Sequence, residues 1–260
     1  MKFLNPINTQ MYNKPIRHLA GITVVILAGG LGTRLRSVLS DRPKILAQVM
    51  GRPFLTYLLD QISSAGASKV ILCTGYMGDM VQEVYGDVYK SLHMFYSQEN
   101  EPFGTGGALR LALPLIESDH AMVMNGDSYI RTDLNSYVDW FFQIDRKASL
   151  LLVKVPDTSR YGMVKMEKDN RVSVFEEKEK AKGAGWINAG VYLLKTSLLK
   201  SISAGKTFSL ERDFFPSLLG NGLFGYQCKG RFIDIGTPES YATAEKFFDE
   251  SKIKVVKNKD

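Results

Sequence analysis

Residues 23–35 have the sequence Thr-Val-Val-Ile-Leu-Ala-Gly-Gly-Leu-Gly-Thr-Arg-Leu, an apolar run that passes into glycines and an arginine. Such a run is typical of a buried strand. Glycines just after a strand let the backbone approach phosphates, and ligands of open α/β sheets bind at that end. The stretch therefore predicts a strand followed by a triphosphate-gripping loop. The residues predicted to bind a nucleotide here are Leu27, Ala28, Gly29, Gly30, Gly32, Thr33 and Arg34.

Two cations near this loop favour phosphate binding. Arg34 carries a forked guanidinium suited to a pyrophosphate, and Lys44, which follows Pro43, offers a compact charge for a phosphate oxygen. The loop lacks the Gly-Lys-Ser/Thr ending of the Walker motif, and Leu35 stands where the dinucleotide fingerprint needs Gly or Ala. A glycine loop that only turns the chain is the alternative that the loop by itself leaves open.

The strand at residues 23–27 begins a regular alternation. Further strands are predicted at 69–73, 92–96 and 121–124, and helices at 53–65, 80–85, 106–116 and 133–144. This alternation predicts an α/β protein of Rossmann-like type, with a mixed, mainly parallel sheet and helices on both faces.

The second half of the chain departs from the alternation. Its predicted elements are a hairpin of strands 163–166 and 172–175, strands at 186–194 and 231–235, a helix at 209–219 and a terminal helix capped by Thr237. Because no long linker separates the halves, we predict a single domain over residues 21–250. An N-terminal arm, 1–20, and a basic tail, 251–260, would flank it.

Composition and charge argue against nucleic-acid and membrane partners. The net charge of +6 resides in the ends, because residues 1–20 carry three cations and no acid, while 252–260 carry four lysines and one acid. Basic ends on a neutral body are typical of solvated tails. No apolar run approaches 18 residues, and the first twenty residues lack a signal-peptide core. We therefore predict a cytoplasmic protein with Cys73 and Cys228 as buried thiols.

Six segments in combination point to one family. They are residues 27–35, 101–108, Asn-Gly-Asp at 125–127, Phe-Glu-Glu-Lys at 175–178, 187–194 and 232–241. With them the chain resembles the nucleotidyltransferases that make nucleotide-sugars from sugar 1-phosphates, most closely the bacterial D-glycero-α-D-manno-heptose 1-phosphate guanylyltransferases. The resemblance spans residues 22–248. It implies a fold of the nucleotide-diphospho-sugar transferase type, with a nucleotide-binding half at about 21–130 and a sugar-binding half at about 131–250.

The resemblance also implies a catalytic set. Asp127 and Asp234 resemble the family's two magnesium carboxylates, and Mg²⁺ prefers one or two carboxylates plus phosphate oxygens and waters. Taken alone, Asp127 could simply form the turn of Asn-Gly-Asp, and Asp234 could be an acid that approaches a helix. The implied catalytic residues are Arg34, Lys44, Asp127, Lys178 and Asp234.

The same resemblance implies the substrate contacts. Glu99, Gly104, Thr105 and Gly126 would contact the nucleotide, with a carboxylate of Glu99 or Glu101 accepting hydrogen bonds from guanine. Gly104, Gly106 and Gly107 would let a flat base lie on backbone. Tyr161, Gly162, Glu177, Lys178 and Asn188 would contact the sugar 1-phosphate. The alternatives are a solvated charged stretch for Glu177 and Lys178, and an amide that satisfies backbone groups for Asn188.

The implied reaction joins GTP to D-glycero-α-D-manno-heptose 1-phosphate. Alternatives are mannose 1-phosphate with GTP, another sugar with UTP, CTP or dTTP, and a non-catalytic nucleotide-sugar-binding regulator. An NAD-dependent oxidoreductase is disfavoured by Arg34 and Leu35 within the loop. A homo-oligomer is left open.

Overall fold

The computed structural model describes residues 19–30, 32–35, 38–143, 146–176, 182–220 and 222–249. The strands are β1 Thr23–Leu27, β2 Gln48–Val49, β3 Arg52–Pro53, β4 Lys69–Thr74, β5 Val88–Tyr89, β6 Leu92–Gln98, β7 His120–Asn125, β8 Ser128–Arg131, β9 Ala148–Val155, β10 Met163–Met166, β11 Val172–Glu176, β12 Gly185–Lys195, β13 Leu223–Cys228 and β14 Arg231–Asp234. The α-helices are α1 Phe54–Ser64, α2 Gly78–Tyr85, α3 Gly104–Ala112, α4 Leu134–Gln143, α5 Thr196–Leu199, α6 Phe215–Ser217, α7 Pro238–Ala242 and α8 Ala244–Phe248.

One eight-stranded sheet joins both halves of the chain. Its strand order is β13-β9-β12-β7-β1-β4-β6-β5. Strand β1 is parallel to both β4 and β7, β4 is parallel to β6, and β13 is parallel to β9. Strand β12 runs antiparallel to β7 and β9, and β5 runs antiparallel to β6. The predicted α/β fold with a mixed, mainly parallel sheet is confirmed.

Both faces of the sheet are covered, as the alternation along β1 shows. Val24 and Ile26 pack into the core formed with α1, α2 and α4, whereas Val25 packs into the core formed with α3, α5 and α6. All three side chains have no exposed surface. Because successive side chains of a strand point to opposite faces, a fully apolar β1 requires cover on both sides.

Two predicted helices needed correction, and several strands were not predicted. Strands β9 and β13 were not predicted, although β9 is almost entirely buried. The predicted helix at 209–219 is a π-helical turn, Leu210–Phe214, followed by the short α6. The predicted terminal helix begins at Thr237, whose side chain accepts a hydrogen bond from Ser240 N–H, but it divides into α7 and α8 at Thr243. Cys73 and Cys228 are buried free thiols, as predicted.

Two short strands outside the large sheet set up the site. Strand β8 pairs antiparallel with β14, so Asp234 stands opposite Ser128. The pairing continues one step further, because Ile235 N–H donates to the Asp127 carbonyl over 2.8 Å. Two acids that lie far apart in sequence thus occupy neighbouring backbone positions. In the part of the chain that the structure describes, no helix is long and apolar enough for a membrane span.

Candidate active site

A pocket of about 240 Å³ opens where β1, β7 and the start of α3 meet. It lies beyond the carboxyl ends of the parallel strands, as expected for an open α/β sheet. The predicted residues that line it are Leu27, Ala28, Gly29, Gly30, Lys44, Glu99, Gly104, Thr105 and Asp127. It is also lined by Ile45, Pro102, Ala108 and Asn125, which were not predicted as site residues. Asn125 in Asn-Gly-Asp, and Pro102 and Ala108 in the segment 101–108, lie in family-like segments that could have revealed them. Ile45 had no such signal.

A larger cavity lies elsewhere and has a volume of about 640 Å³. Helix α1, strand β8 and the start of α4 form it, and Phe248 closes one side. Its described lining contains none of the predicted site residues. Cavity size alone therefore does not locate the chemistry of this protein, and the smaller pocket is the candidate active site.

The glycine loop turns sharply after β1. Ala28 N–H donates to the Cys73 carbonyl over 2.8 Å, and Leu35 N–H donates to the Gly32 carbonyl over 2.9 Å. Gly32 has a φ of +59°. The turn buries Leu35 and leaves Arg34 exposed to solvent. Residues 33–35 form a single 3₁₀ turn, where a dinucleotide fingerprint would begin a long helix.

A second, much smaller pocket of about 20 Å³ lies beside this loop. Gly30 and Lys44 line both pockets, and Gly32 and Arg42 line the smaller one. Arg42 was not predicted as a site residue, and its guanidinium is paired with Asp41 over 2.7 Å. Arg42 therefore adds a cation to the surroundings of the predicted phosphate loop, beside Arg34 and Lys44.

Lys44 and Asp127 form an ion pair within the pocket. The Lys44 Nζ lies 2.5 Å from Asp127 Oδ2, and the two side chains are 17% and 34% exposed. Lys44 begins a 3₁₀ turn directly after Pro43, which directs it back toward the strand ends. The predicted return of this lysine to the glycine loop is thus what the structure shows, with a carboxylate as its partner.

Asp234 is held by donors from three segments. Its carboxylate accepts hydrogen bonds from Tyr161 O–H at 2.6 Å, Gly236 N–H at 2.9 Å, Arg160 Nη2 at 3.2 Å and Ser240 Oγ at 3.3 Å. Burial, and secondly the bond to Asp234, raise the pKa of the Tyr161 hydroxyl well above its ordinary value. Tyr161 therefore stays protonated and donates to the carboxylate at neutral pH.

The carboxylates of Asp127 and Asp234 converge around Gly236. A Cβ placed on Gly236 would lie 3.0 Å from Asp234 Oδ1 and 4.0 Å from Asp127 Oδ2. The two oxygens are therefore no further apart than the sum of these distances. No group of three or more His, Cys, Asp or Glu side chains with metal-binding geometry occurs among the described residues. The arrangement is a pair of carboxylates rather than a closed metal cage.

Glu99 is the carboxylate at the opposite wall of the pocket. Its Oε2 accepts a hydrogen bond from Phe103 N–H over 3.1 Å, and Oε1 faces Gly29, where a Cβ would come within 2.6 Å. Burial raises the pKa of Glu99, and the bond from Phe103 partly opposes that shift. Glu101, the second predicted candidate for base contact, is exposed and does not line the pocket.

The glycines at the start of α3 serve a purpose that was not predicted. Gly106 N–H and Gly107 N–H both donate to the Phe208 carbonyl, at 2.8 and 3.2 Å. A Cβ on Gly106 would lie 2.6 Å from the Phe208 ring. The expectation that these two glycines let a base lie on backbone is corrected, because residue 208 covers them. Gly104 still lines the pocket.

The predicted sugar-side residues are only partly gathered. Tyr161 contacts Asp234, and Gly162 follows it with a φ of +79°. The Asn188 side chain donates to Tyr192 and accepts from Gly190 N–H, both over 2.9 Å. The Asn188 amide thus satisfies a backbone N–H group at the irregularity of β12. This is the alternative that the sequence had left open. Glu177 and Lys178 lie outside the described residues.

Comparison with known proteins places this geometry in context. A family model described as nucleotidyl transferase matches residues 23–251. The chain is 36% identical to D-glycero-alpha-D-manno-heptose 1-phosphate guanylyltransferase from Aneurinibacillus thermoaerophilus, over 85% of this chain and 96% of that protein. It is also 36% identical to mannose-1-phosphate guanylyltransferase from Mycobacterium tuberculosis, over 85% of this chain and 62% of that protein.

A solved structure shows the same architecture. HddC from Yersinia pseudotuberculosis, complexed with GMP-PN, matches with a TM-score of 0.78 and 37% identity. The match covers 88% of this chain and 100% of that one. The resemblance drawn from the six sequence segments and the expected nucleotide-diphospho-sugar transferase type of fold are both confirmed by these comparisons.

Proposed function

Because the chain belongs to the nucleotidyl transferase family, we propose that it transfers a nucleoside monophosphate from a nucleoside triphosphate to a sugar 1-phosphate, releasing pyrophosphate. The observation that carries the proposal is the meeting of Lys44, Asp127 and Asp234 beside the glycine-lined pocket. A cation and two carboxylates at the mouth of a phosphate-binding loop suit phosphoryl chemistry.

The favoured substrates are GTP and D-glycero-α-D-manno-heptose 1-phosphate. The products would be GDP-heptose and pyrophosphate, for bacterial surface-glycan synthesis in the cytoplasm. Support comes from the heptose 1-phosphate guanylyltransferase that matches over nearly its whole length, and from the GMP-PN complex of HddC. Within the pocket, the Oε1 of Glu99 has no hydrogen-bond partner among the described residues and is available to a guanine N–H.

The chemistry requires little from acid–base groups. The attacking phosphate oxygen of the sugar 1-phosphate is already ionised near neutral pH, so positioning and charge neutralisation carry the reaction. Arg34 would hold the β- and γ-phosphates, and Lys44 would stabilise charge at the α-phosphate. Lys178 would hold the phosphate of the sugar. Tyr161, Gly162 and Glu177 complete the proposed sugar side.

Asp127 and Asp234 would hold Mg²⁺. Their donor set fits this ion, because two convergent carboxylates leave the remaining positions to phosphate oxygens and water. When bound, Mg²⁺ would neutralise charge on the phosphates. The protein itself orients Asp234 through Tyr161, Gly236 and Ser240, and it holds Asp127 through Lys44.

Mannose 1-phosphate is the second candidate acceptor. The Mycobacterium tuberculosis guanylyltransferase supports it at equal identity, although the chain spans only 62% of that relative. Heptose and mannose differ by one hydroxymethyl group, which a pocket distinguishes only modestly. A non-catalytic regulator is disfavoured, since a binder has little use for Lys44, Asp127 and Asp234 together.

A substrate matrix tests the proposal directly. GTP, UTP, CTP, dTTP and ATP are each combined with heptose, mannose and glucose 1-phosphates in the presence of Mg²⁺, and pyrophosphate release is measured. We expect the highest kcat/KM for GTP with the heptose 1-phosphate. The absence of pyrophosphate release in every combination would refute the enzymatic proposal, whereas a preference for mannose 1-phosphate would select the second candidate.

A further inference from the structure

The carboxylate of Glu211 connects helix α3 with strand β12. Glu211 lies in the π-helical turn Leu210–Phe214 and is half-buried. Its Oε2 accepts hydrogen bonds from Thr105 Oγ1 at 2.8 Å and Ser209 Oγ at 3.1 Å, and its Oε1 accepts from Tyr192 O–H at 3.1 Å. Glu211 is not among the site residues predicted from the sequence, and the proposed chemistry does not use it.

On one side, Glu211 fixes the start of α3. Thr105 lines the nucleotide pocket, and its hydroxyl oxygen also accepts a hydrogen bond from Leu210 N–H over 2.8 Å. The Phe208 carbonyl meanwhile accepts from the N–H groups of Gly106 and Gly107. The segment before the π-helical turn therefore clamps the first turn of α3 at several points. The wall of the pocket that Gly104 and Thr105 form depends on this clamp.

On the other side, Glu211 fixes β12. The Tyr192 side chain is fully buried, and burial raises the pKa of its hydroxyl far above the ordinary value. That hydroxyl accepts a hydrogen bond from Asn188 Nδ2 over 2.9 Å. Because the tyrosine oxygen already has a donor directed at it, its proton needs an acceptor, and Glu211 supplies it. Strand β12 pairs with β7, whose last residue, Asn125, lines the nucleotide pocket.

We propose that Glu211 is a positioning residue for the nucleoside triphosphate, which holds the start of α3 against β12 so that both walls of the pocket keep their spacing. This inference rests on the proposed function. Only a carboxylate accepts on both oxygens. A glutamine would turn an NH₂ group toward either the Thr105 and Ser209 hydroxyls or the Tyr192 hydroxyl, leaving a buried donor without an acceptor.

The test compares Glu211→Gln with Asp213→Asn. Asp213 lies in the same turn and accepts from Ser209 N–H over 2.7 Å, a bond that an asparagine oxygen can also accept. Binding of GTP is measured by calorimetry without sugar phosphate, and kcat and KM are measured separately. We expect the Glu211→Gln variant to bind GTP about tenfold more weakly with kcat nearly unchanged, because a displaced start of α3 no longer fits the nucleotide. Asp213→Asn should match the wild type.

A further variant keeps the proposal testable if Glu211→Gln does not fold. Tyr192→Phe removes the hydroxyl that donates to Glu211 and keeps the aromatic ring. We expect Tyr192→Phe to weaken GTP binding while kcat stays nearly unchanged. Wild-type GTP affinity in Glu211→Gln or in Tyr192→Phe overturns the positioning role while leaving the proposed function intact. If the wild type binds no nucleoside triphosphate, both proposals fail.

Discussion

Asp127 and Asp234 sit side by side at the ends of β8 and β14, yet the protein holds them differently. Asp127 is 34% exposed, and Lys44 is the side-chain partner that the structure shows for it. Asp234 is 16% exposed and accepts hydrogen bonds from Tyr161, Gly236, Arg160 and Ser240. Asp234 is thus oriented before any ligand binds. The orientation of Asp127, in contrast, depends on Lys44, whose long side chain has many rotamers.

Loss of either carboxylate should have the largest effect. Asp127→Asn and Asp234→Asn keep the size of the side chain but remove the charge that the proposed Mg²⁺ site needs. We expect kcat to fall on the order of 10³-fold in each, with the fold retained. Pyrophosphate release and circular dichroism measure the two effects. Asp169→Asn in the exposed turn between β10 and β11 is the matched control. Near-normal turnover of a folded Asp127→Asn variant would remove the metal assignment.

Substitutions of Lys44 should affect Asp127 and leave Asp234 in place. Lys44→Met removes the cation that faces Asp127 without touching the donors of Asp234. We expect kcat to fall on the order of 10²-fold, because both the charge at the α-phosphate and the placement of Asp127 are lost. Lys44→Arg should recover only part of the activity, since a planar guanidinium does not replace a compact ammonium. A Lys44→Met variant with unchanged kcat would show that Asp127 needs no partner.

Glu99 extends the comparison to a carboxylate that faces the base. Glu99→Gln should reduce the preference for GTP over the other triphosphates by about tenfold, whereas Glu101→Gln, outside the pocket, should leave it unchanged. Competition between triphosphates measures this preference. An unchanged preference in Glu99→Gln, or in the double variant, would contradict guanine contact by this segment.

The pH dependence of GTP binding tests the same residue. Guanine N–H groups need the ionised form of Glu99, and burial raises the pKa of that carboxyl. An ordinary glutamate has a pKa of about 4.3. As the pH is lowered, GTP affinity should therefore begin to weaken at a higher pH than it would if the pKa of Glu99 were ordinary. The Glu99→Gln variant should lose this dependence, which calorimetry at several pH values would show. Retention of the same profile in the variant would assign the titration to another group.

Removing one donor from Asp234 should have the smallest effect. Tyr161→Phe deletes the 2.6 Å hydrogen bond but leaves the bonds from Gly236, Arg160 and Ser240. We expect only a few-fold rise in the Mg²⁺ concentration needed for half-maximal activity, with kcat at saturation little changed. A loss as large as that of Asp234→Asn would mean that Tyr161 contacts the substrate itself.

Local sequence predicts some elements of the fold and not others. Strand β1 and the capped start of α7 follow from signals within a few residues. Strand β9 was missed because a continuous apolar run does not distinguish a buried strand from a buried helix. In β13, Gly225 has the appearance of a break, but it lies in a close-packed strand, where a Cβ would require the Met166 or Leu152 side chain to shift.

The sequence by itself determined the parallel half of the sheet, the glycine loop after β1 and the charges placed near it, because each depends on neighbours in the chain. Only the tertiary structure decided which acids meet. Asp127 and Asp234 lie more than a hundred residues apart, and the β8–β14 pairing brings them together. It likewise revealed Glu211, because a half-buried carboxylate acquires its role from the three hydroxyls that surround it, and two of these come from distant segments.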